Sequence, residues 1–587
     1  MSLPQGKSKF TPELRILAAS LLSMAVILTW AKFFGPKPPV NAPQVNQPAQ
    51  SAPVTPGPAS AAPTPAVTAQ TPVLKKVPAQ ATAIAAKSEA TERTIVVEND
   101  LYRVEFSNRG AVVKSWQLKH YKDDAKPQRV LDVVHPEASE QIGGSWPMAV
   151  TLEDPQQQTA ANSAFYQVSS GSSSLTAPAD IDFSWSDGHL EISKHFHFDH
   201  TYVVHVETSA KIDGKPLAAG VAWLGGFGDL TVSNPVPIDT VSVFSSVNGK
   251  ITDVSAKKLE DLGKVGTSAW QGGKDFTGIQ DRYFTAVFLP SSGAAPGTLE
   301  TRYWKVDRPV KVNNQDALEP APGISTATGP QPTELRVYVG PKDYDDLKRM
   351  TPPLNGLVNF GWLEFIADPL FHGLKLIHKY VPNWGWAIVI LTLVINTLLF
   401  PLRISSYKTT LKMQRVGPEI KSIQDKYKKY SMRDPRKADM NKEVMAVYSR
   451  EGINPVGGCF QMFLQMPVWF GLNTALRFAI EMRHARWFGW ITDLSARDPY
   501  YILPVAMGLS MYLVSKMTPM TSTDPQQQMM MKIMPITMAG IFIISPISSG
   551  LAVYILTSSV VGIVQQWYLN RTHPLPEPAK PVKGKKS

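Results

Sequence analysis

The sequence predicts a polytopic α-helical membrane protein, with six transmembrane helices, that carries a large all-β domain outside the membrane. Three observations predict it. Apolar runs recur at 16–31, 384–402, 455–480, 500–517, 532–546 and 549–568. Between 94 and 350 the pattern changes to a two-residue alternation punctuated by turn clusters. Lysine and arginine collect where alternating spans would put the cytoplasm. The 587 residues, with a net charge of +11, therefore divide into a membrane part and a soluble part rather than forming one fold. The one cysteine, Cys459, excludes an intramolecular disulfide and has no neighbouring thiol or histidine to make a metal site.

Residues 1–35 are read as an N-terminal anchor: Lys7, Lys9 and Arg15 precede the apolar stretch Ile16–Ala31 and place the N-terminus inside. A cleaved signal peptide is the rival reading, and the lack of a small-residue site at the end of the stretch favours an uncleaved anchor. Residues 36–93 form a linker with 12 prolines among Ala, Gln and Thr, a composition that cannot bury a core.

Residues 94–350 form the β domain, read as an antiparallel sandwich. Tyr102, Val104 and Phe106 alternate with polar neighbours, as do Ile192, Phe196 and Phe198. "KIDGK", "SVNGK" and "WSDGH" supply turns. Five of the eleven histidines, at 189, 195, 197, 200 and 205, are the domain's one site-like cluster. With no cysteine or well-spaced carboxylate beside them they read as an exposed strand face, so no metal site is assigned. No nucleophile motif, phosphate loop or acid/base pair is present, so the chain reads as no enzyme, with no catalytic residue and no cofactor.

Residues 351–383 read as an interfacial amphipathic helix broken near Pro369, with Leu354, Leu357, Phe365, Leu370, Phe371, Leu374, Ile377 and Val381 on its apolar stripe. Residues 384–569 hold five further spans. Basic residues outnumber acids by 13 to 5 between Arg403 and Arg450, and the tail at 570–587 is basic, so both are cytoplasmic. Within 406–451, Val416, Ile420, Ile423 and Tyr427, then Met440, Val444 and Val447, predict two antiparallel helices projecting as a hairpin.

The stretches "EGINPVGGCFQMFLQMPVWFGL", "ITDLSARDPYYILPVAMGLSMYLVSKMTP", "DPQQQMMMKIMP" and "SSGLAVYILTSSVVGIVQQ" resemble the YidC/Oxa/Alb family of membrane protein insertases, in the right order and spacing from about Leu354 to Tyr568. The anchor, linker and β domain match the Gram-negative arrangement more loosely. The resemblance implies a periplasmic supersandwich fold similar to sugar mutarotases, and an inner-membrane location with both termini cytoplasmic. It implies five core spans around a polar groove that takes in hydrophilic segments of nascent membrane proteins and releases apolar ones sideways into lipid, without nucleotide. It also implies partners: the Sec translocon, and the ribosome and signal recognition particle pathway through the hairpin and basic tail.

On this resemblance the groove would be lined by Thr392, Asn396, Gln461, Gln465, Tyr554, Ser558 and Gln565. The family carries an arginine where this sequence has Asn396. Arg403, two turns along the same face, either supplies that charge or anchors the helix end at the head groups. Nine of the 20 methionines lie between 507 and 538, and Met507, Met511, Met529, Met530 and Met534 are read as an adaptable client-sliding surface. The alternative function is a tethered periplasmic carbohydrate-binding or mutarotase-like protein, resting on the sandwich and the histidines. A solute transporter would require paired intramembrane charges or repeated halves, and neither is present in the sequence.

Overall fold

In the computed structural model of the chain, the described residues are 85–574 apart from 142–145, 230, 232–240, 256–257, 260–261, 263–265, 313–314, 330–331, 359, 431–433, 455–456, 520–524 and 545–546. The anchor, most of the linker and the basic tail lie outside them.

Alternation becomes sheet because one face of each strand is apolar. Tyr102, Val104 and Phe106 are fully buried, as are Ile192 and Phe198. Strands between Thr94 and Pro341 form three sheets of ten, six and five strands. The large sheet runs through Phe284–Pro290, Thr333–Pro341, Val203–Ile212, Leu190–Phe198 and Ala179–Ser186. The six-stranded sheet is built on the long hairpin Leu299–Val312 and Gln315–Ala327. One apolar cluster, including Trp116, Trp223, Phe106 and Phe196, spans the sheets. Asp213 and Gly214 (φ 49° and 76°) and Asn248 and Gly249 (φ 51° and 73°) close two-residue hairpins in the left-handed region that this turn type requires. The sandwich is not wholly antiparallel: Thr94–Glu98 pairs parallel with Ser174–Thr176, whose separation in sequence leaves room for a crossover.

Lys194 breaks the alternation. It shares the inward face of its strand with Ile192 and Phe196, 1% exposed, and its ammonium donates to the carbonyls of Gly110 (2.8 Å), Ala111 (3.0 Å) and Met148 (2.8 Å). Burial pushes its pKa down to about 7. Between that value and the ordinary lysine range the unfolded chain binds more protons than the folded one, so stability rises with pH across this window. In Lys194→Met the slope of unfolding free energy against pH between 7 and 9 is expected to fall by about 1.4 kcal/mol per pH unit. Denaturant unfolding at several pH values, followed by near-UV circular dichroism, measures it; equal slopes in both proteins would refute the assignment.

Short helices α1 (Pro136–Gln141), α2 (Pro155–Ser163) and α3 (Tyr344–Arg349) decorate the sheets. After them come α4 (Glu364–Tyr380), α5 (Trp384–Lys426), α6 (Arg436–Arg450), α7 (Gly457–Phe478), α8 (Ile502–Met517), α9 (Pro525–Ile544) and α10 (Ser549–Thr572). The anticipated break at Pro369 does not occur: α4 runs through it. This proline lies in the second turn, so it removes one helical hydrogen bond, while Ala367, Phe371 and Leu374 on the buried face hold both sides in register. Phe365, Leu376 and Tyr380 stay exposed at 71%, 60% and 76%, apolar surface on the outer side of the same helix.

The first arm of the hairpin is not a separate helix either. Helix α5 is capped by Asn383, which accepts from the Trp386 amide, and continues for 43 residues through Pro401 and Pro418. At 1.5 Å per residue it is about 65 Å long, roughly twice the hydrocarbon thickness, so its C-terminal half projects from any bilayer that its N-terminal half crosses. That half packs on α6 and the turn after it through Val416, Ile420, Val447 and Ile453, with Arg450 bridging to Glu419 and Lys426 to Glu443. Among the described residues, α5 and α10 are long and apolar enough to cross a membrane, and α8 is a shorter apolar helix.

Candidate functional site

Helices α5, α7, α8, α9 and α10 line an open cavity of about 680 Å³. It takes Arg403 from α5, Gln465, Met466 and Trp469 from α7, Met511, Val514 and Ser515 from α8, Met534, Met538 and Phe542 from α9, and Tyr554, Ser558 and Gly562 from α10. Arg403 on α5, Gln465 on α7 and Tyr554 and Ser558 on α10 are its main polar groups, while methionines and aromatics come from α7, α8 and α9. The lining therefore offers both polar groups and adaptable apolar surface to one occupant.

The α5–α10 seam is held by side chains reaching across it. Asn396 donates to Ser558 Oγ (3.4 Å), Gln565 donates to the Asn396 carbonyl (3.2 Å), and Arg403 Nη1 donates to Gln565 Oε1 (2.9 Å). The second nitrogen, Nη2, donates to the Gly562 carbonyl at 3.3 Å. Arg403 is thus turned inward beside α10. Among the described residues no carboxylate pairs with it, so its charge is met only by neutral acceptors. Across the cavity, Gln465 Nε2 donates to Tyr554 Oη at 3.3 Å.

Of the anticipated lining, Arg403, Gln465, Tyr554 and Ser558 meet at the cavity, with Met511 and Met534. Asn396 and Gln565 stand behind them, in the seam. Thr392 does not reach the cavity: it is fully buried and its hydroxyl donates to the Ile388 carbonyl one turn back. Met507 is no sliding surface, because it is fully buried in the apolar core one turn before Met511. Met529 is 58% exposed and outside the cavity wall. The side chains of Gln461 and Met530 lie outside the described residues. Trp469 on α7 and Met538 and Phe542 on α9 also line the cavity, and no local pattern in the sequence marks them, because only the packing of the helices brings them there.

The histidine cluster forms no comparable site. His195 and His197 pair with Asp182 (2.7 Å) and Asp180 (2.8 Å) on the exposed strand face. A cavity of about 370 Å³ in the β domain, beside Tyr303, is lined by none of the five histidines and by no carboxylate.

Comparison with known proteins gives two family models. "YidC periplasmic domain" matches residues 94–372 and "60Kd inner membrane protein" matches residues 376–576. The chain is similar to the membrane protein insertase YidC of Citrifermentans bemidjiense, 32% identical over 570 residues, covering 95% of this chain and 99% of the relative. Among solved structures it is similar to an active YidC insertase with its first transmembrane domain resolved, at a TM-score of 0.34 and 16% identity, over 83% of this chain and 95% of the other. It is also similar to a putative aldose 1-epimerase from Escherichia coli K12, at a TM-score of 0.26 and 10% identity, over 42% of this chain and 99% of the other.

Proposed function

This chain belongs to the YidC family of membrane protein insertases, and from that premise we propose that it inserts nascent membrane proteins into the inner membrane through the cavity between α5, α7, α8, α9 and α10. The observation that carries the reading is the inward guanidinium of Arg403 within that cavity, facing walls of methionine and aromatic side chains. A client loop crossing bare hydrocarbon leaves each unpaired backbone group costing several kcal/mol, and each charge costs more. Polar groups at Arg403, Gln465, Tyr554 and Ser558 lower that barrier, while Met511, Met534 and Met538 adapt to varied apolar segments. The driving force is burial of the client's own apolar span, so no nucleotide and no bond chemistry are required.

In this reading the chain crosses the membrane six times, with both termini cytoplasmic and the β domain periplasmic. The projecting half of α5 with α6, and the basic tail, face the cytoplasm, where their charge suits ribosomal RNA, the signal recognition particle pathway and anionic lipid. The Sec translocon is the partner for clients whose loops are too long for the cavity alone. The carbohydrate-binding reading gains nothing from the exposed His–Asp pairs.

The test is protease protection of a two-span client with an acidic translocated loop, added to liposomes containing only this purified protein and no nucleotide. Protection severalfold above empty liposomes is expected. Protection no better than empty liposomes, from folded protein, would overturn autonomous insertion.

A further inference from the structure

We infer that Asp124, His484 and Asp493 form a binding site for a first-row dication of the zinc class, fastening the β domain to the segment between α7 and α8. The ligand atoms come from separate parts of the chain: Asp124 follows the strand Val112–Lys122, and His484 and Asp493 lie between Phe478 and Ile502. One ligand atom from each lies within 4.8 Å of the other two.

The geometry is close to that of an occupied site. His484 Nε2 is 2.7 Å from Asp124 Oδ1 and 3.9 Å from Asp493 Oδ2. A tetrahedral zinc with bonds of about 2.0–2.2 Å holds its ligand atoms roughly 3.3 Å apart, so the two distances straddle the required one. Shifts of about half an ångström would bring His484 to that distance from both carboxylates, which themselves lie within 4.8 Å of each other. Asp493 is fixed for the purpose: its Oδ1 accepts from the Ser495 amide and hydroxyl, both at 2.8 Å, which leaves Oδ2 toward His484.

Charge favours a dication. Asp124, Asp229 and Asp493 supply three negative charges against the single positive charge of Arg483, a surplus of two with His484 neutral. Asp229 and Arg483 are both buried and pair with each other, and the same guanidinium nitrogen also reaches Asp124 Oδ1 at 3.4 Å, so Asp493 is the carboxylate that Arg483 leaves untouched. One imidazole and two carboxylates suit zinc and its first-row neighbours better than magnesium or calcium. The three side chains are 17–30% exposed, enough for a metal to enter and for water to complete the coordination.

The test uses the full chain in detergent without a histidine tag, stripped with a chelator and titrated with Zn²⁺ against a chromophoric competitor. One equivalent should bind, weakened at least tenfold by His484→Ala and by Asp493→Asn and unchanged in the His195→Ala/His197→Ala double variant. Absence of saturable binding, or affinity unchanged in His484→Ala and Asp493→Asn, would overturn the site. If those variants do not fold, Co²⁺ added to the wild type decides: one equivalent should give the intense visible bands of a tetrahedral ion, and their absence refutes the proposal.

Discussion

Replacing Arg403 with alanine is expected to slow insertion of a client with two acidic residues in its translocated loop by about tenfold or more. A client with the matched amide loop should change by less than about threefold. The guanidinium stands in the cavity with Gln565 Oε1 and the Gly562 carbonyl as neutral partners, which use two of its five N–H donors. A client carboxylate entering the cavity leaves water and needs a charged donor. A hydrogen bond to a charged group contributes about 1.5–3 kcal/mol, and each 1.4 kcal/mol is a factor of ten in rate. Arg403→Lys keeps the charge but loses the fork that spans Gln565 and Gly562, so it should fall between the two. The measurement is the initial rate of protease protection in liposomes holding each variant at equal density. Equal loss for acidic and amide loops would mean that Arg403 only fastens α5 to α10, and the charge-recognition reading would fail.

The β domain was legible because its signal is local. Strict alternation at Tyr102–Phe106 and Asn-Gly and Asp-Gly turns fix face and hairpin without reference to the rest of the chain. Lys194 escaped because its partners are three backbone carbonyls, and carbonyls leave no trace in a sequence. In the helical part, periodicity assigns a face but not a depth. Met507 and Met511 share a face of α8, yet the first is packed in the core and the second lines the cavity. Arg403 posed the same problem: its position predicts its face, but whether it turns inward depends on where α10 places Gly562 and Gln565, 159 and 162 residues later. The meeting of Asp124 with His484, 360 residues apart, is the extreme case, since neither residue has a local pattern that points to the other.

Arg483→Ala should destabilise the docking of the β domain by about 3–5 kcal/mol, the cost of removing one partner from a buried ion pair. Arg483 and Asp229 are each 4% exposed and hydrogen-bonded to each other, and the guanidinium lies 5.3 Å from the ring of Phe284 and 5.8 Å from that of Tyr283. Without it the Asp229 carboxylate stays buried, held only by the Thr231 amide and hydroxyl on its other oxygen. Asp124 loses support as well. Burial pushes its carboxyl up, but the hydrogen bond from His484 and the charge of Arg483 outweigh that and hold it below the usual range. Its contribution is therefore complete above the ordinary carboxylate pKa and is lost as pH falls through the lower folded value. Hydrogen exchange on the chelator-treated full chain is the measurement: amides around 121–126 and 480–495 should exchange about a hundredfold or more faster in Arg483→Ala, with the strand Leu190–Phe198 unchanged. Lys375, which bridges Asp345 and Glu481 at 2.7 and 2.9 Å, still ties the same segment to the β domain, so docking should loosen rather than disappear. Adding Asp229→Ala separates the pair from its surroundings. If the buried, uncompensated carboxylate causes the loss, the double variant will recover part of it. If the double variant is as loose as the sum of the singles, Arg483 acts through its ring contacts and packing instead of its charge.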